Sequence, residues 1–144
     1  MNQNSVLIGM SGGVDSSVAA YLLQKEGYNC IGCTMKLYCG NAEENVCDAQ
    51  SVADRMGIPF RVFDFQKDFH RQVIDHFITC YESGLTPNPC IECNRFLKFG
   101  AMLETALELG CSHIATGHYA QIHQDPETGR YLLYKAADHA KDQT

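Results

Sequence analysis

The sequence predicts an α/β protein built on a doubly wound parallel sheet. Short apolar runs alternate along the chain with longer stretches of helical spacing, the pattern that pairs parallel strands through crossover helices. The first of these runs leads directly into a glycine-rich turn and then a helix. The 144 residues, 45% hydrophobic and 19% charged, suit one domain with a sizeable core, spanning 1–144.

The elements follow in order. Ser5 to Met10 reads as a strand, and the helix after the glycine turn runs to about Glu26, with Val18, Tyr21 and Leu22 on one face before Gly27 stops it. Tyr28 to Lys36 is a second buried strand, and Tyr38 to Asn45 is polar enough to be a loop. Asn45 caps a helix whose apolar face is Ala49, Val52, Ala53 and Met56, with Asp48 placed like a capping-box partner, and Gly57-Ile58-Pro59 ends it. Phe60 to Phe63 is the third strand. Phe69, Val73, Phe77 and Cys80/Tyr81 then recur at helical spacing up to Gly84. Pro87 and Pro89 argue against regular helix over Leu85 to Asn94. Phe96, Phe99, Leu103, Ala106 and Leu107 form the next amphipathic face, ended by Gly110. His113 to Thr116 is the fourth strand, and Tyr119–His123 with Tyr131–Tyr134 form a hairpin around 125–129. Ala136 to Thr144 starts something helical or extended.

In such sheets a ligand lies outside the carboxyl ends of the strands. That edge gathers the 9–17 loop, the end of strand two near Met35, and Thr116-Gly117-His118. In Gly9-Met10-Ser11-Gly12-Gly13-Val14-Asp15-Ser16-Ser17 the paired glycines let backbone approach a ligand, and the helix start turns unpaired N–H groups toward an anion. Ser11, Ser16 and Ser17 add hydroxyl donors. The Gly-Lys-Ser/Thr ending of a Walker A loop is missing, and Gly9, Gly12 and Gly13 lack dinucleotide-fingerprint spacing. Ser-Gly-Gly-Val-Asp-Ser-Ser closely resembles the PP-loop of ATP pyrophosphatases, which cleave ATP between the α and β phosphates, usually to adenylate a carbonyl oxygen. The resemblance implies that this loop holds pyrophosphate and that Asp15 helps place Mg²⁺.

The second chemical stretch is Thr86-Pro87-Asn88-Pro89-Cys90-Ile91-Glu92-Cys93-Asn94-Arg95, where two prolines stiffen a loop bearing two cysteines three residues apart. A helix starting near Asn94 would put Cys93 close to its N-terminus, and the dipole with Arg95 and Lys98 nearby would favour the thiolate. A thiolate suits nucleophilic sulfur chemistry.

Together the PP-loop, Thr-Pro-Asn-Pro-x-x-x-Cys-Asn, Ala-Thr-Gly-His-Tyr-Ala and the terminal Lys-Asp-Gln resemble the N-terminal catalytic domain of the tRNA-specific 2-thiouridylases, the MnmA family. The match runs in order from Gly9 to Gln143. It implies a Rossmann-like fold of the adenine nucleotide alpha hydrolase-like class and an ATP-dependent transferase acting on tRNA with a wobble uridine. ATP adenylates the uridine C2 oxygen, persulfide sulfur from a sulfur-relay protein attacks C2, and AMP leaves. Carried over by position, Gly9, Met10, Ser11, Gly12, Gly13, Val14, Asp15 and Ser16 bind ATP, with Met35 and Gly117 near the adenosine. Asn88, Pro89 and Cys90 touch the target base, Cys93 is the nucleophile, and His118 with Lys141, Asp142 and Gln143 contacts tRNA. Many bacterial members carry aspartate where this chain has Cys90. The resemblance also places the persulfide-bearing cysteine beyond residue 144, so that the chain reads as the N-terminal piece of a longer enzyme, binding ATP but thiolating poorly alone. Related thiolation enzymes hold a [4Fe–4S] cluster on such a cysteine pair plus a distant third, which makes Cys90 and Cys93 candidate iron ligands beside the persulfide and disulfide reading.

The remaining residues narrow the classes. A net charge of −6 argues against strong nucleic-acid binding by this chain alone, so an RNA substrate needs a local basic patch or another domain. Val6–Met10 is too short to span a membrane, no signal pattern is present, and eight cysteines without one point to thiol or metal chemistry in the cytoplasm. Cys30 and Cys33 stand at an odd strand offset and face opposite ways, while Cys80 and Cys111 read as packing residues. Cys39 and Cys47 could join Cys90 and Cys93 only as a zinc site whose distances nothing in the sequence fixes. His70 and His76 read as surface residues, whereas His118 follows a strand end at the crevice. Two other readings compete: a PP-loop synthetase adenylating a small molecule, and a non-catalytic nucleotide or zinc module. The thiol-bearing loop argues against the first, whose ammonia chemistry needs no such thiol; the second predicts nucleotide or zinc binding without adenylation or thiol reactivity.

Overall fold

The computed structural model describes residues 4–38 and 42–142. Four parallel strands, β1 (Ser5–Gly9), β2 (Asn29–Lys36), β3 (Phe60–Asp64) and β4 (His113–Ala115), lie in the order β3-β2-β1-β4. A separate antiparallel pair, β5 (Gln121–Gln124) and β6 (Tyr131–Tyr134), forms the expected hairpin. The helices are α1 (Val14–Lys25), α2 (Ala42–Met56), α3 (66–82) and α4 (89–108). Both α3 and α4 are continuous helices interrupted by a π-type stretch, His70–Ile74 in one and Asn94–Ala101 in the other.

The chain lays strands outward from β1 to β3, then crosses back through α3 and α4 to place β4 on the other flank of β1. The direction of winding therefore switches between β1 and β4, and the crevice at their carboxyl ends is where such sheets bind ligands. Central β1 is apolar on both faces because each is covered. Val6 and Ile8 pack with Ala20 of α1 and with Ala49 and Ala53 of α2, while Leu7 packs with Met102 and Ala106 of α4. Cys30 lies on the first face and Cys33 on the second, as their odd offset requires. Burial, with Cys111 beside it, pushes the Cys33 thiol up to about 12, so it is an inert packing group. Cys111 is buried, but Cys80 is only half-buried, its sulfur 3.5 Å from His76 Nε2.

Four boundaries and faces differ from the sequence expectation. On α1, Val18, Tyr21 and Leu22 are about half exposed, and Ser16 and Ala20 form the buried side. The small residues win because α1 lies close over the sheet and α2. Helix α2 begins at Ala42, a turn before Asn45, so Asn45 and Asp48 are inside it and form no capping box. Helix α4 begins at Pro89, with Asn88 as its cap, and not near Asn94. On α4 the buried residues are Leu97, Met102 and Ala106, whereas Phe99, Leu103 and Leu107 are exposed. Residues 136–142 form turns and no regular element.

Candidate functional site

At the switch point the loop after β1 is tied to β2 at its root. Met10 N donates to Cys33 O at 2.7 Å, and the buried Thr34 hydroxyl donates to Met10 O at 2.7 Å. Gly12 adopts φ +79°, and a Cβ there would come within 2.6 Å of Asp48 Cβ, so only glycine fits both the turn and its contact with α2. The loop serines mostly fasten the loop itself. Ser11 N donates to Ser16 Oγ at 3.3 Å, and both residues line the crevice, whereas Ser17 Oγ turns back to Gly13 O at 2.7 Å. Gly13 caps α1 with backbone alone, leaving the first-turn N–H groups without a side-chain cap. From β4, Gly117 presses on that turn: a Cβ at this position would lie 2.7 Å from Ser16 N.

These elements enclose a cavity of about 720 Å³. Gly9, Met10, Ser11, Asp15, Ser16, Met35, Gly117, His118, Lys141 and Asp142 of the sequence-expected residues line it. Gly12, Gly13 and Val14 shape the loop from outside the lining, and Gln143 lies outside the described residues. Asn45, Lys98 and Tyr119 line it too; the sequence places Lys98 only beside the Cys93 thiol and gives Asn45 and Tyr119 no ligand role. Tyr119 is legible as part of the Gly-His-Tyr run, whereas nothing at helical spacing directs Lys98 into this cavity.

Asp15 is the electrostatic centre. Tyr119 OH donates to its Oδ1 at 2.6 Å, and Lys141 Nζ approaches both carboxylate oxygens at 3.3 and 3.5 Å. The Tyr119 bond first, and Lys141 second, hold the Asp15 carboxyl below its ordinary value, and the same contacts raise the Lys141 ammonium. Lys141 also stands 4.9 Å above the Tyr119 ring. Asp142 instead accepts from Ala136 N at 2.9 Å and pins the turn that delivers Lys141. A carboxylate beside helix N–H groups that no side chain caps, on the wall of the cavity, suits a nucleotide phosphate with its divalent cation.

The cysteine loop adjoins this cavity without lining it. Asn88 Oδ1 accepts from Cys90 N at 3.2 Å and Ile91 N at 3.4 Å, and Pro89 occupies the first helical turn. Cys90 is therefore the thiol near the helix start, exposed, while Cys93 is a turn further in and half-buried. Burial raises the Cys93 thiol, Lys98 pulls it down and Cys90 pushes it up, leaving it above its ordinary value. The helix-dipole activation expected of Cys93 is thus not what this geometry supplies. Arg95 stacks on Phe96 at 5.1 Å instead of serving the thiol. His118 bonds through Nδ1 to the Thr116 hydroxyl at 2.7 Å and lies 6.3 Å from the Phe99 ring, and burial followed by Lys98 lowers its pKa.

Among the described residues no group of three His, Cys, Asp or Glu side chains gathers to hold a metal ion. Cys47 accordingly forms no zinc site with Cys90 and Cys93, and Cys39 lies outside the described residues. Two thiols on one helical turn do not by themselves fit an iron–sulfur cluster.

Residues 4–144 match the family model described as the tRNA methyl transferase HUP domain. The chain belongs to that family. Relatives named tRNA-specific 2-thiouridylase MnmA include one from Clostridioides difficile, 52% identical over 96% of this chain and 41% of that protein. Another, from Symbiobacterium thermophilum, is 52% identical over 96% of this chain and 40% of its own length. This HUP domain thus spans about two fifths of the curated relatives it matches. Among solved structures, a predicted subunit of tRNA methyltransferase from Methanocaldococcus jannaschii is 21% identical, with a TM-score of 0.53 over 95% of this chain and 59% of that one. Glutamine-dependent NAD⁺ synthetase from Acinetobacter baumannii, in complex with ADP, is also 21% identical, with a TM-score of 0.53 over 79% of this chain and 21% of that one. Both share the fold of the HUP domain, the parallel sheet flanked by helices of the adenine nucleotide alpha hydrolase-like class.

Proposed function

We propose that residues 1–144 are the ATP-binding catalytic domain of an enzyme that 2-thiolates the wobble uridine of tRNA in the cytoplasm. The observation that carries the reading is the juxtaposition of a phosphate cradle with a cysteine-bearing helix start across His118 and Lys98. The relatives' name, tRNA-specific 2-thiouridylase, supports it further. The family description speaks of methyl transfer, but a phosphate cradle beside thiols suits phosphoryl activation followed by sulfur transfer.

In this reading the 9–16 loop holds the ATP phosphates, with Met35 and Gly117 beside the adenosine. Mg²⁺, held at Asp15, would neutralise phosphate charge. The uridine C2 oxygen attacks the α-phosphorus and pyrophosphate leaves. The outer sulfur of a persulfide, brought by a relay protein to a second cysteine, then attacks C2 and AMP leaves. The Cys93 thiolate attacks the inner sulfur, forming a disulfide and leaving the C2–sulfur bond on the base, so two thiols are oxidised as the sulfane sulfur is reduced. Asn88, Pro89 and Cys90 flank the base, and His118 with 141–143 meets the tRNA. The test is 2-thiouridine formation, read by nucleoside mass spectrometry, with ATP, Mg²⁺ and a persulfide donor in a chain extended to the relatives' length. Loss of product in Cys93→Ser with ATP binding intact is expected. A folded, ATP-binding wild type that yields no thiouridine would move the function to small-molecule adenylation.

A further inference from the structure

Lys98 is a half-buried cation for which no ion pair or hydrogen bond is found among the described residues. A cation that lines the cavity with no carboxylate beside it among the described residues can donate a charge-assisted hydrogen bond to an anionic ligand. Lys141, the other lysine of the cavity, is already engaged by Asp15, so Lys98 is the ammonium left over for an incoming anion.

Its placement follows from the π-type stretch of α4. Cys93 immediately precedes that stretch, and within it hydrogen bonds link residues five apart, as where Met102 N donates to Leu97 O. In an α-helix residues 93 and 98 would diverge, because neighbours on one face are three or four apart. In the wider turn a spacing of five brings them to one side, and such turns recur at functional sites. Lys98 consequently lines the phosphate cavity while its charge also reaches Cys93 and His118.

We propose that Lys98 is a positioning residue whose ammonium is shared between the nucleotide phosphates and anionic sulfur at Cys93. This rests on the thiolation reading and deepens it: one cation holds the activated group and the sulfur on the same side of the crevice. A lysine whose stem merely covers apolar surface would send its ammonium to solvent and serve neither anion.

The experiment uses the 144-residue chain with Lys98→Met, Lys98→Gln and Lys98→Arg, each checked for an unchanged melting temperature, so that Gln serves if Met fails to fold. Two readouts are taken: the Kd for ATP with Mg²⁺, and the ratio of iodoacetate to iodoacetamide alkylation rates at Cys93, followed by mass spectrometry. Removing the cation should weaken ATP by about tenfold, the scale of one charge-assisted hydrogen bond. It should also lower the anion-to-neutral alkylation ratio several-fold, and Lys98→Arg should restore both. The ratio reports local charge at the sulfur, which a packing role would leave untouched. Folded Met and Gln variants that keep either the ATP affinity or the ratio overturn the sharing. A wild type that does not bind ATP at all overturns the functional reading as well, which the first titration reveals before any variant is made.

Discussion

At the scale of single residues, three side chains decide the chemistry of the crevice through what lies beside them. Asp15 is held ionised by Tyr119 and Lys141, Cys93 is held protonated chiefly by burial, and His118 is held neutral by burial and by Lys98. The last has a measurable consequence. A histidine whose folded pKa lies below its ordinary 6.5 binds fewer protons folded than unfolded in the interval between the two values. Its neutral form therefore adds stability that is complete above pH 6.5 and is lost as pH falls through the folded value. His118→Gln, which can still bond the Thr116 hydroxyl, should flatten the acid side of the stability curve without moving the alkaline side. Urea denaturation of both chains between pH 5 and 8 measures this, and parallel curves would show that His118 does not titrate in the fold as described.

At the scale of elements, helix α4 is the piece whose geometry matters most, because one π-type stretch sets both the core and the site. Its phase assigns Leu97, fully buried, to the core with Met102 and Ala106, and exposes about half of Leu107. Leu97→Ala should therefore cost about 3 kcal/mol, and Leu107→Ala less than about 1 kcal/mol, in urea unfolding. A helix of uniform 3.6-residue period would give the reverse order. The same feature explains what the sequence did and did not disclose. The four parallel strands were legible because Val6, Leu7 and Ile8 form an uninterrupted apolar run feeding a glycine turn, and the PP-loop was legible because its glycines have a mechanical reason. The face of α4 was not, since an extra residue in a helical turn leaves no mark in residue type and shifts every later apolar position out of phase. Lys98 is legible as a cation near Cys93 in the chain, but its place in the phosphate cavity is not, because the wider turn leaves no mark in residue type. The start of α4 was missed because two prolines read as a barrier, when Pro89 is at the one helical position that needs no N–H donor. On α1 the largest apolar residues drew attention, but the close approach of helix to sheet selects Ser16 and Ala20.

At the scale of the whole molecule, the core and the crevice share elements yet draw on different residues. Leu97 fills the interior of α4, whereas Gly117 holds the β4 loop against the first turn of α1, where an added Cβ would come within 2.7 Å of Ser16 N. Ligand that binds only the folded chain stabilises it by mass action, by about 2.7 kcal/mol at a hundredfold excess over Kd. Leu97→Ala should lower the unliganded melting temperature yet keep the wild-type increment from saturating MgATP. Gly117→Ala, whose Cβ meets the backbone of the first helical turn, should lower the unliganded melting temperature and also lose most of the increment, because the cradle must shift to admit the methyl group. In the double variant the loss of base stability should be near the sum of the two, as for residues without a shared partner. Differential scanning fluorimetry with and without MgATP measures all four chains. Loss of the increment in Leu97→Ala would show that packing beneath α4 sets the shape of the phosphate cradle, and the strict division between an apolar interior and a glycine-built crevice would then be wrong.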